Sequence, residues 1–289
     1  MFEGTYTAIV TPFTRNGRVD YARLQAVIDM QVQAGVDGIV PVGTTGESPT
    51  LDMKEHAEVV ARTVEFSRHR IRVLAGTGAN STAEAIELTR EAKAAGADAT
   101  MQVTPYYNRP SQEGLYRHFS AVADLGLPVV LYNVPSRTGR EIAVETVARL
   151  SRNPNIPCIK EAGGSVDRVS AILGACRITV LCGDDSLTIP MMSVGARGVV
   201  SVASNVIPSP VVKMVRAALA GHWDEAREVH ARYYPLFRDL FIEANPIPVK
   251  AAMAMLGWIE ETYRLPLCEL SAENRHKLQH TMRVTGVLS

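Results

Sequence analysis

Cysteine is scarce in this chain of 289 residues, and its arrangement argues against two common roles. The cysteines form no C-x-x-C pair and no histidine follows them at zinc-finger spacing; they are Cys158, Cys176, Cys182 and Cys268. Neither a disulfide framework nor a zinc site is therefore indicated. Isolated thiols of this kind are typical of the reducing cytoplasm, which is the expected location.

Neither positively nor negatively charged residues are in excess. Lys plus Arg and Asp plus Glu each number 30, so the formal net charge is zero. Nucleic-acid binders usually carry a basic excess, and membrane-surface proteins a block of like charge; neither partner is expected here. Residues 1–5 lack the basic start of a signal peptide, and serines and prolines interrupt the apolar stretch 199–212. The sequence therefore predicts neither secretion nor a membrane span.

Motifs for metals and dinucleotides are also missing. No G-x-G-x-x-G follows the first predicted strand, which weakens a dinucleotide-binding interpretation. The seven histidines form no H-E-x-x-H motif and no three-ligand cluster. Asp184 and Asp185 could bind a metal ion, but we interpret them as helix caps after the seventh predicted strand. No metal site is therefore expected.

What the sequence does contain is a regular alternation of short apolar runs with longer amphipathic stretches. Near-continuous apolar strands between helices are typical of a parallel sheet covered by helices. About eight such units favour a closed (β/α)8 TIM barrel, which we predict for residues 1–222. The predicted strands are 6–11, 36–42, 71–75, 99–104, 128–132, 156–160, 178–182 and 198–202.

After residue 202 the strand pattern stops and only helical periodicity remains. Helices are predicted over 210–220, 224–244, 246–256 and 271–284, so residues 223–289 are interpreted as an all-helical C-terminal appendage. An oligomerisation or lid role for it is as plausible as a catalytic one. At earlier helix ends, Gly35 and Gly96 fit left-handed C-caps, and Ser81 with Glu84 resembles a capping box.

Lys160 is the most unusual residue at the strand ends, where barrel enzymes place their active sites. Strand side chains alternate between faces, so if Ile159 packs against the helices, Lys160 points into the barrel with Cys158. Burial disfavours the ammonium form, and a neutral amine can attack a carbonyl to form an imine. The structural alternative is a lysine that reaches solvent or pairs with Glu161 or Asp184.

Three further features lie at the same predicted end of the barrel. Tyr132 has the inward phase with Val130 and could relay protons, or could simply be a packed core tyrosine. Arg137 follows on a loop, where its guanidinium suits a carboxylate or is a solvated surface charge. The 43–46 loop offers backbone N–H groups and two hydroxyls, which suit an anion such as a carboxylate.

Taken together, these segments resemble the dihydrodipicolinate synthases, of the pyruvate-dependent Schiff-base aldolase and N-acetylneuraminate lyase superfamily. The matching motifs, in the family's order over essentially the whole chain, are GTTGE at 43–47, TPYYN at 104–108, YNVPSRTG at 132–139, KEA at 160–162, GDD at 183–185 and NPIPVK at 245–250. The resemblance implies a lyase that condenses pyruvate with aspartate semialdehyde to 4-hydroxy-tetrahydrodipicolinate, on the path to diaminopimelate and lysine. It implies no cofactor.

The resemblance also implies roles for individual residues. Catalytic roles fall on Lys160 as the imine-forming amine, on Tyr132 as proton relay, on Thr44 as its hydrogen-bond partner, and on Tyr107, which reaches into the neighbouring subunit's site. The implied substrate-binding residues are Thr45 for the pyruvate carboxylate, Arg137 for the carboxylate of the second substrate, and Gly183 and Val200 as lining residues. A homotetramer, built as a dimer of dimers, is implied as well.

A lysine-effector site at a dimer interface is implied by five matches, which are Ser48, His56, Asn80, Glu84 and Tyr106. Met53 departs from this pattern, because lysine-sensitive members carry histidine there, and Pro49 replaces a small residue. Weakened or altered inhibition is therefore expected. A third departure is Gly163, where the family often has threonine.

Two other functions compete with this one. A sister lyase that cleaves a sialic acid or keto-deoxy sugar acid would keep Lys160, Tyr132 and the 43–47 loop. Arg137 and the Tyr106–Tyr107 pair argue against it, because sugar-acid pockets need neutral polar groups more than a second carboxylate clamp. A non-catalytic barrel that serves as a binding protein has little support, since every expected catalytic position is filled.

Overall fold

A computed structural model describes residues 2–288 and arranges eight parallel strands into one closed ring. Each strand pairs with the next along the chain, and the first pairs with the last, so that no sheet edge remains open. The strands are β1 Gly4–Ala8, β2 Gly38–Val40, β3 Arg72–Gly76, β4 Ala99–Val103, β5 Val129–Asn133, β6 Cys158–Glu161, β7 Thr179–Cys182 and β8 Gly198–Ser201. The predicted (β/α)8 barrel is confirmed.

Helices cover the outside of this ring and continue beyond it. Their bounds are α1 Tyr21–Ala34, α2 Met53–Ser67, α3 Thr82–Ala94, α4 Gln112–Ala123, α5 Pro135–Thr138, α6 Val144–Leu150, α7 Val166–Ala175, α8 Thr188–Ser193, α9 Pro208–Leu219, α10 Trp223–Asp239, α11 Ile247–Met255 and α12 Ala272–Val284. The predicted helix over 224–244 was too long, because α10 ends at Asp239. No helix within residues 2–288 combines the length and apolarity that a membrane crossing requires.

Alternate strand residues pack in two separate layers. The inner cluster fills the barrel and includes Leu74, Met101, Val130, Tyr132, Cys158, Leu181 and Val200. The outer cluster joins the strands to the helices and includes Ile159 and Val180. Full burial of each such side chain is worth about 1.5–3 kcal/mol, so this alternation strongly favours one strand phase. Because Ile159 faces the helices, Lys160 points into the barrel, as the strand phase predicted.

Helix ends show which local signals were decisive. Gly35 ends α1 in the left-handed region at φ 75°, and its N–H donates to the carbonyls of Gln31 and Val32, as predicted. The capping box expected at Ser81 was wrong, since its exposed side chain makes no cap bond. A capping box occurs at α2 instead. There the Asp52 carboxylate accepts from the Glu55 N–H at 2.8 Å, and the Glu55 carboxylate accepts from the Asp52 N–H.

The C-terminal helices share the barrel's outer core. Leu236, Phe237 and Leu240, at the end of α10, and Val249 and Met253 of α11 belong to the same buried cluster as the barrel helices. The predicted boundary at residue 222 falls between α9 and α10 and stays a prediction. Since this region packs directly on the barrel, it can hold residues at the barrel mouth.

Candidate active site

A cavity of about 160 Å³ lies at the carboxyl ends of the strands. Its lining includes Thr44, Thr45, Tyr132, Arg137, Lys160, Gly183, Asp184, Val202, Phe241 and Asn245. A second cavity of about 210 Å³ shares Thr44, Tyr132 and Arg137 with it. The structure therefore brings most of the predicted catalytic and substrate-binding residues to one place.

Lys160 reaches this cavity from the interior of the barrel. Its side chain is only 5% exposed, and its Nζ lies 4.1 Å from the centre of the Tyr132 ring. The two residues are register partners on β6 and β5, which explains their contact. Within residues 2–288 the amine has no hydrogen-bond or ion-pair partner, so the alternative pairing with Glu161 or Asp184 does not form. A buried amine without a fixed counter-ion remains available to a ligand.

Glu161 is engaged on the opposite face of the strand. Its buried carboxylate accepts from Asn133 Nδ2 at 2.9 and 3.1 Å, from Arg168 Nε at 2.9 Å and from the Gly163 N–H at 2.7 Å. A Cβ at Gly163 would lie 2.6 Å from the Glu161 carboxylate. Glycine at this position thus admits the close backbone bond, which gives the Gly163 departure a structural reason. The network ties β5 to β6 behind Tyr132 and Lys160.

Gly183 borders the Lys160 side chain directly. A Cβ built there would lie 3.0 Å from Lys160 Cε and 2.6 Å from Ala162 Cβ. A side chain at position 183 would therefore occupy the path that the lysine follows to the cavity. Gly183 thus lines the cavity, and this contact gives a steric reason for the glycine, while its substrate-binding role stays a prediction.

Replacing Gly183 by alanine is expected to lower kcat by about 10- to 100-fold, because an ångström-scale displacement of a reacting group has this cost. Steady-state kinetics with the two substrates that the resemblance implies would measure the loss. Gly174→Ala is the matched control, since its added Cβ would meet nothing within 4 Å. Equal kinetics for both variants would contradict the steric role.

The two carboxylates after β7 have different environments, and the expectation that they cap a helix there was wrong. Asp185 is buried and accepts from the Ser201 hydroxyl at 2.5 Å and from the Val202 and Ala203 N–H groups at 2.9 Å, so it caps the turn after β8. Asp184 lines the cavity, where burial raises the pKa of its carboxyl and the Lys160 charge opposes that shift. Among residues 2–288, no three His, Cys, Asp or Glu side chains converge to hold a metal ion.

The β2 loop and the β5 loop supply the polar wall of the cavity. Thr45 is buried, and its hydroxyl accepts from Asn245 Nδ2 at 2.9 Å. Arg137 donates to the backbone carbonyl of Asn245 at 3.4 Å. Val200 packs in the inner cluster that fills the barrel beneath the cavity. Val202, which follows β8, lines the cavity. Asn245 was not predicted as a site residue, although its NPIPVK segment had been matched.

Tyr107 lies outside this constellation. Its side chain is 92% exposed and its backbone has φ 72°, whereas the neighbouring Tyr106 is 37% exposed and lines the second cavity. In a single chain, Tyr107 therefore contributes to neither cavity.

The residues predicted to bind lysine as an effector lie around the second cavity and the loop after β3. Ser48 and Tyr106 line the cavity. His56 is buried, and its Nε2 bonds to the Gly76 carbonyl at 2.9 Å; burial lowers the pKa of this imidazole. Burial also raises the pKa of the Tyr106 hydroxyl, and the nearby Glu84 carboxylate adds to that shift. The Asn80 carbonyl accepts from Asn108, so these residues lie together in one region.

Comparison with known proteins places this geometry in context. Residues 1–285 match the Dihydrodipicolinate synthetase family. A 4-hydroxy-tetrahydrodipicolinate synthase of Geobacter metallireducens is 50% identical over 286 residues, which are 98% of each chain. The structure of the corresponding synthase from Methylacidiphilum fumariolicum is 56% identical with a TM-score of 0.98, covering 99% of this chain and 96% of that one. A dihydrodipicolinate synthase from Cyanidioschyzon merolae, solved with lysine bound, is 41% identical with a TM-score of 0.96 and covers 99% of both chains.

Proposed function

Since this chain belongs to the dihydrodipicolinate synthetase family, we propose that Lys160 is the amine that binds its keto-acid substrate covalently. The enzyme condenses pyruvate with aspartate semialdehyde to give 4-hydroxy-tetrahydrodipicolinate in lysine biosynthesis. The observation that carries the assignment is the buried Lys160 amine, which faces the cavity and pairs with no carboxylate in the part of the chain that the structure describes. The sister sugar-acid lyase is not favoured, because the relatives at about 50% identity carry the synthase name.

The proposed chemistry begins with attack of the neutral Lys160 amine on the ketone carbon of pyruvate. Loss of water gives an iminium, whose positive charge withdraws electrons so that a methyl proton can leave and an enamine forms. The enamine carbon attacks the aldehyde of the second substrate. The amino group of that substrate then displaces Lys160 and closes the ring, which returns the free lysine.

Each of these steps moves a proton, and the ring of the hydroxyl-bearing Tyr132 contacts the Lys160 amine. We assign Tyr132 the relay and Thr44, which lines the same cavities, the role of its partner. Thr45 is assigned to the pyruvate carboxylate and Arg137 to the carboxylate of aspartate semialdehyde, because a guanidinium offers two parallel donors to that group. Gly183 keeps the lysine's path open, and Val200 supports the site from the layer below.

Borohydride reduction in the presence of pyruvate tests the covalent step. Reduction should leave a stable pyruvate-derived adduct on Lys160, which peptide mass spectrometry can locate. Lys250, also buried, serves as an internal control and should stay unmodified, because it is paired with Glu47. An adduct on another lysine, or none at all, would overturn the assignment.

The exposure of Tyr107 supports a proposal for the assembly. An exposed tyrosine beside its own site is suited to complete the site of a neighbouring copy, and we propose a homotetramer built as a dimer of dimers. The unpaired thiols of all four cysteines support a cytoplasmic location, which is proposed with it.

Tyr107→Phe is expected to lower turnover by about 10-fold or more while the pyruvate adduct on Lys160 still forms, because only proton relay is lost. Steady-state rates and adduct mass spectrometry would measure the two effects separately. Tyr234→Phe, another exposed tyrosine, is the control. Wild-type turnover in the Tyr107 variant would count against the shared site.

Regulation by lysine is proposed to be weak. Ser48, His56, Asn80, Glu84 and Tyr106 form the proposed effector region, but the half-exposed Met53 offers an amino acid neither a charge nor a hydrogen-bond donor. Inhibition by lysine should therefore require millimolar concentrations, and Met53→His should lower the required concentration. Dose–response assays would measure this, and micromolar inhibition of the natural enzyme would refute it.

A further inference from the structure

Asn245 occupies a junction between the two groups assigned to substrate carboxylates. Its Nδ2 donates to Thr45 Oγ1 at 2.9 Å, and its backbone carbonyl accepts from Arg137 at 3.4 Å. The residue lines the cavity, yet it is only 6% exposed. It lies in the segment between α10 and α11, so it comes from the C-terminal region and not from the barrel strands.

We propose that Asn245 is a positioning residue that directs the Thr45 hydroxyl proton toward the carboxylate of pyruvate. This inference rests on the proposed role of Thr45. A threonine hydroxyl has one proton to donate and can accept bonds from others, whereas a carboxylate only accepts. Because Asn245 supplies an N–H to Thr45, the hydroxyl's own proton is left to point away from Asn245, where a substrate carboxylate can receive it.

The asparagine side chain is not explained by stability alone. Its Oδ1 is buried and has no hydrogen-bond partner within residues 2–288. A buried acceptor without a donor destabilises a fold, and an apolar residue here would avoid that cost. The benefit of the amide therefore lies in its Nδ2 donor, whose acceptor is Thr45.

A second anchor keeps this arrangement rigid. Lys250, one helical turn into α11, pairs with Glu47 at 2.5 Å, and both side chains are fully buried. Asn245 and Lys250 thus hold Thr45 and Glu47, two residues apart on the β2 loop. The C-terminal region consequently acts on the site by fixing the loop that carries the proposed pyruvate-carboxylate binder.

Kinetics of four variants test this role: Asn245→Ala, Asn245→Asp, Thr45→Val, and the double variant Asn245→Ala/Thr45→Val. Asn245→Ala should raise KM for pyruvate about 10-fold, the equivalent of about 1.4 kcal/mol, with kcat changed less than about threefold. KM for aspartate semialdehyde should stay unchanged, since Arg137 contacts the backbone of Asn245. The double variant should be no worse than Thr45→Val, because the two residues act through one interaction.

Asn245→Asp keeps the shape of the side chain but replaces the Nδ2 donor by a charged acceptor. The carboxylate would accept the Thr45 proton and repel the substrate's charge, so KM for pyruvate should rise more than in the alanine variant. Asn155→Ala, remote from the cavity, should leave both KM values unchanged. If the alanine variant does not fold, Asn245→Leu, which has a similar size but neither donor nor charge, takes its place: a raised KM for pyruvate supports the proposal and a wild-type KM overturns it.

The same kinetics distinguish failure of the positioning role of Asn245 from failure of the carboxylate-binding role of Thr45. If Thr45→Val raises KM for pyruvate but Asn245→Ala does not, the positioning role is refuted and the proposed function stands. If Thr45→Val leaves KM unchanged, the assigned role of Thr45 fails, and this inference fails with it. Additive losses in the double variant would also refute the positioning role, because independent sites add.

Discussion

Lys160→Met is expected to lower kcat/KM for the condensation by at least about 10³-fold, because no other lysine of the described residues lines the cavity to form the imine. Methionine has a similar length and fills the same inner layer, so binding through Thr45 and Arg137 should survive. Steady-state assays would measure the loss, and borohydride with pyruvate should give no adduct. Residual turnover near the natural level would show that the covalent route does not pass through Lys160.

The same substitution should raise stability. Lys160 is buried against the Tyr132 ring and forms no ion pair within residues 2–288, so its ammonium is incompletely compensated. Replacing it by an apolar side chain should increase the free energy of unfolding by about 1 kcal/mol, as is common when a functional residue is removed. Lys213→Met, at an exposed ion pair, is the control and should alter neither activity nor stability appreciably. A destabilised Lys160→Met enzyme would contradict this reading.

Lys250→Met is expected to destabilise the fold by about 3–5 kcal/mol, because it leaves the Glu47 carboxylate buried without its partner. Burial lowers the pKa of Lys250, and the attraction of Glu47 opposes that shift. The Phe13 ring, 4.2 Å from Lys250 Nζ, adds a further contact that the variant would lose. Urea unfolding followed by circular dichroism would measure the change.

The double variant Glu47→Gln/Lys250→Met shows whether the lost stability comes from an unpaired charge. Removing both charges should recover most of it, since a buried pair contributes much less than the cost of breaking it. Arg62→Met, at an exposed pair on α2, is the control and should change stability little. If the double variant is as unstable as Lys250→Met, side-chain packing rather than charge explains the effect.

Much of the fold was predictable because its signals are local. The predicted helices over 246–256 and 271–284 agree with α11 and α12 to within one residue at each end, because helical spacing of apolar residues is a local signal. Each predicted strand contains an observed one or overlaps it, since buried parallel strands are continuous apolar runs. The phase of Lys160 was also predictable, because alternation on β6 leaves only two possibilities.

The errors concern side chains whose partners are distant in the chain. Ser81 and Glu84 have the spacing of a capping box, but spacing does not ensure that the hydroxyl turns inward. Asp185 bonds to the last residue of β8 and to the two residues after it, 16 to 18 positions away, so its partners could not be inferred from the neighbouring helix. The end of α10 was misplaced for a related reason: the chain leaves the helix early and places Asn245 at the barrel mouth.

By itself the sequence determined the barrel, the strand that carries Lys160 and, through the family's motifs, the reaction. These depend on periodicity and on residue order, which are properties of the chain alone. Only the tertiary structure decided that Lys160 forms no ion pair among residues 2–288, that Gly183 leaves room for its side chain, and that Asn245 holds Thr45 from 200 residues away. Contacts of this kind arise when packing closes the ring and brings remote segments together, and no local pattern specifies them.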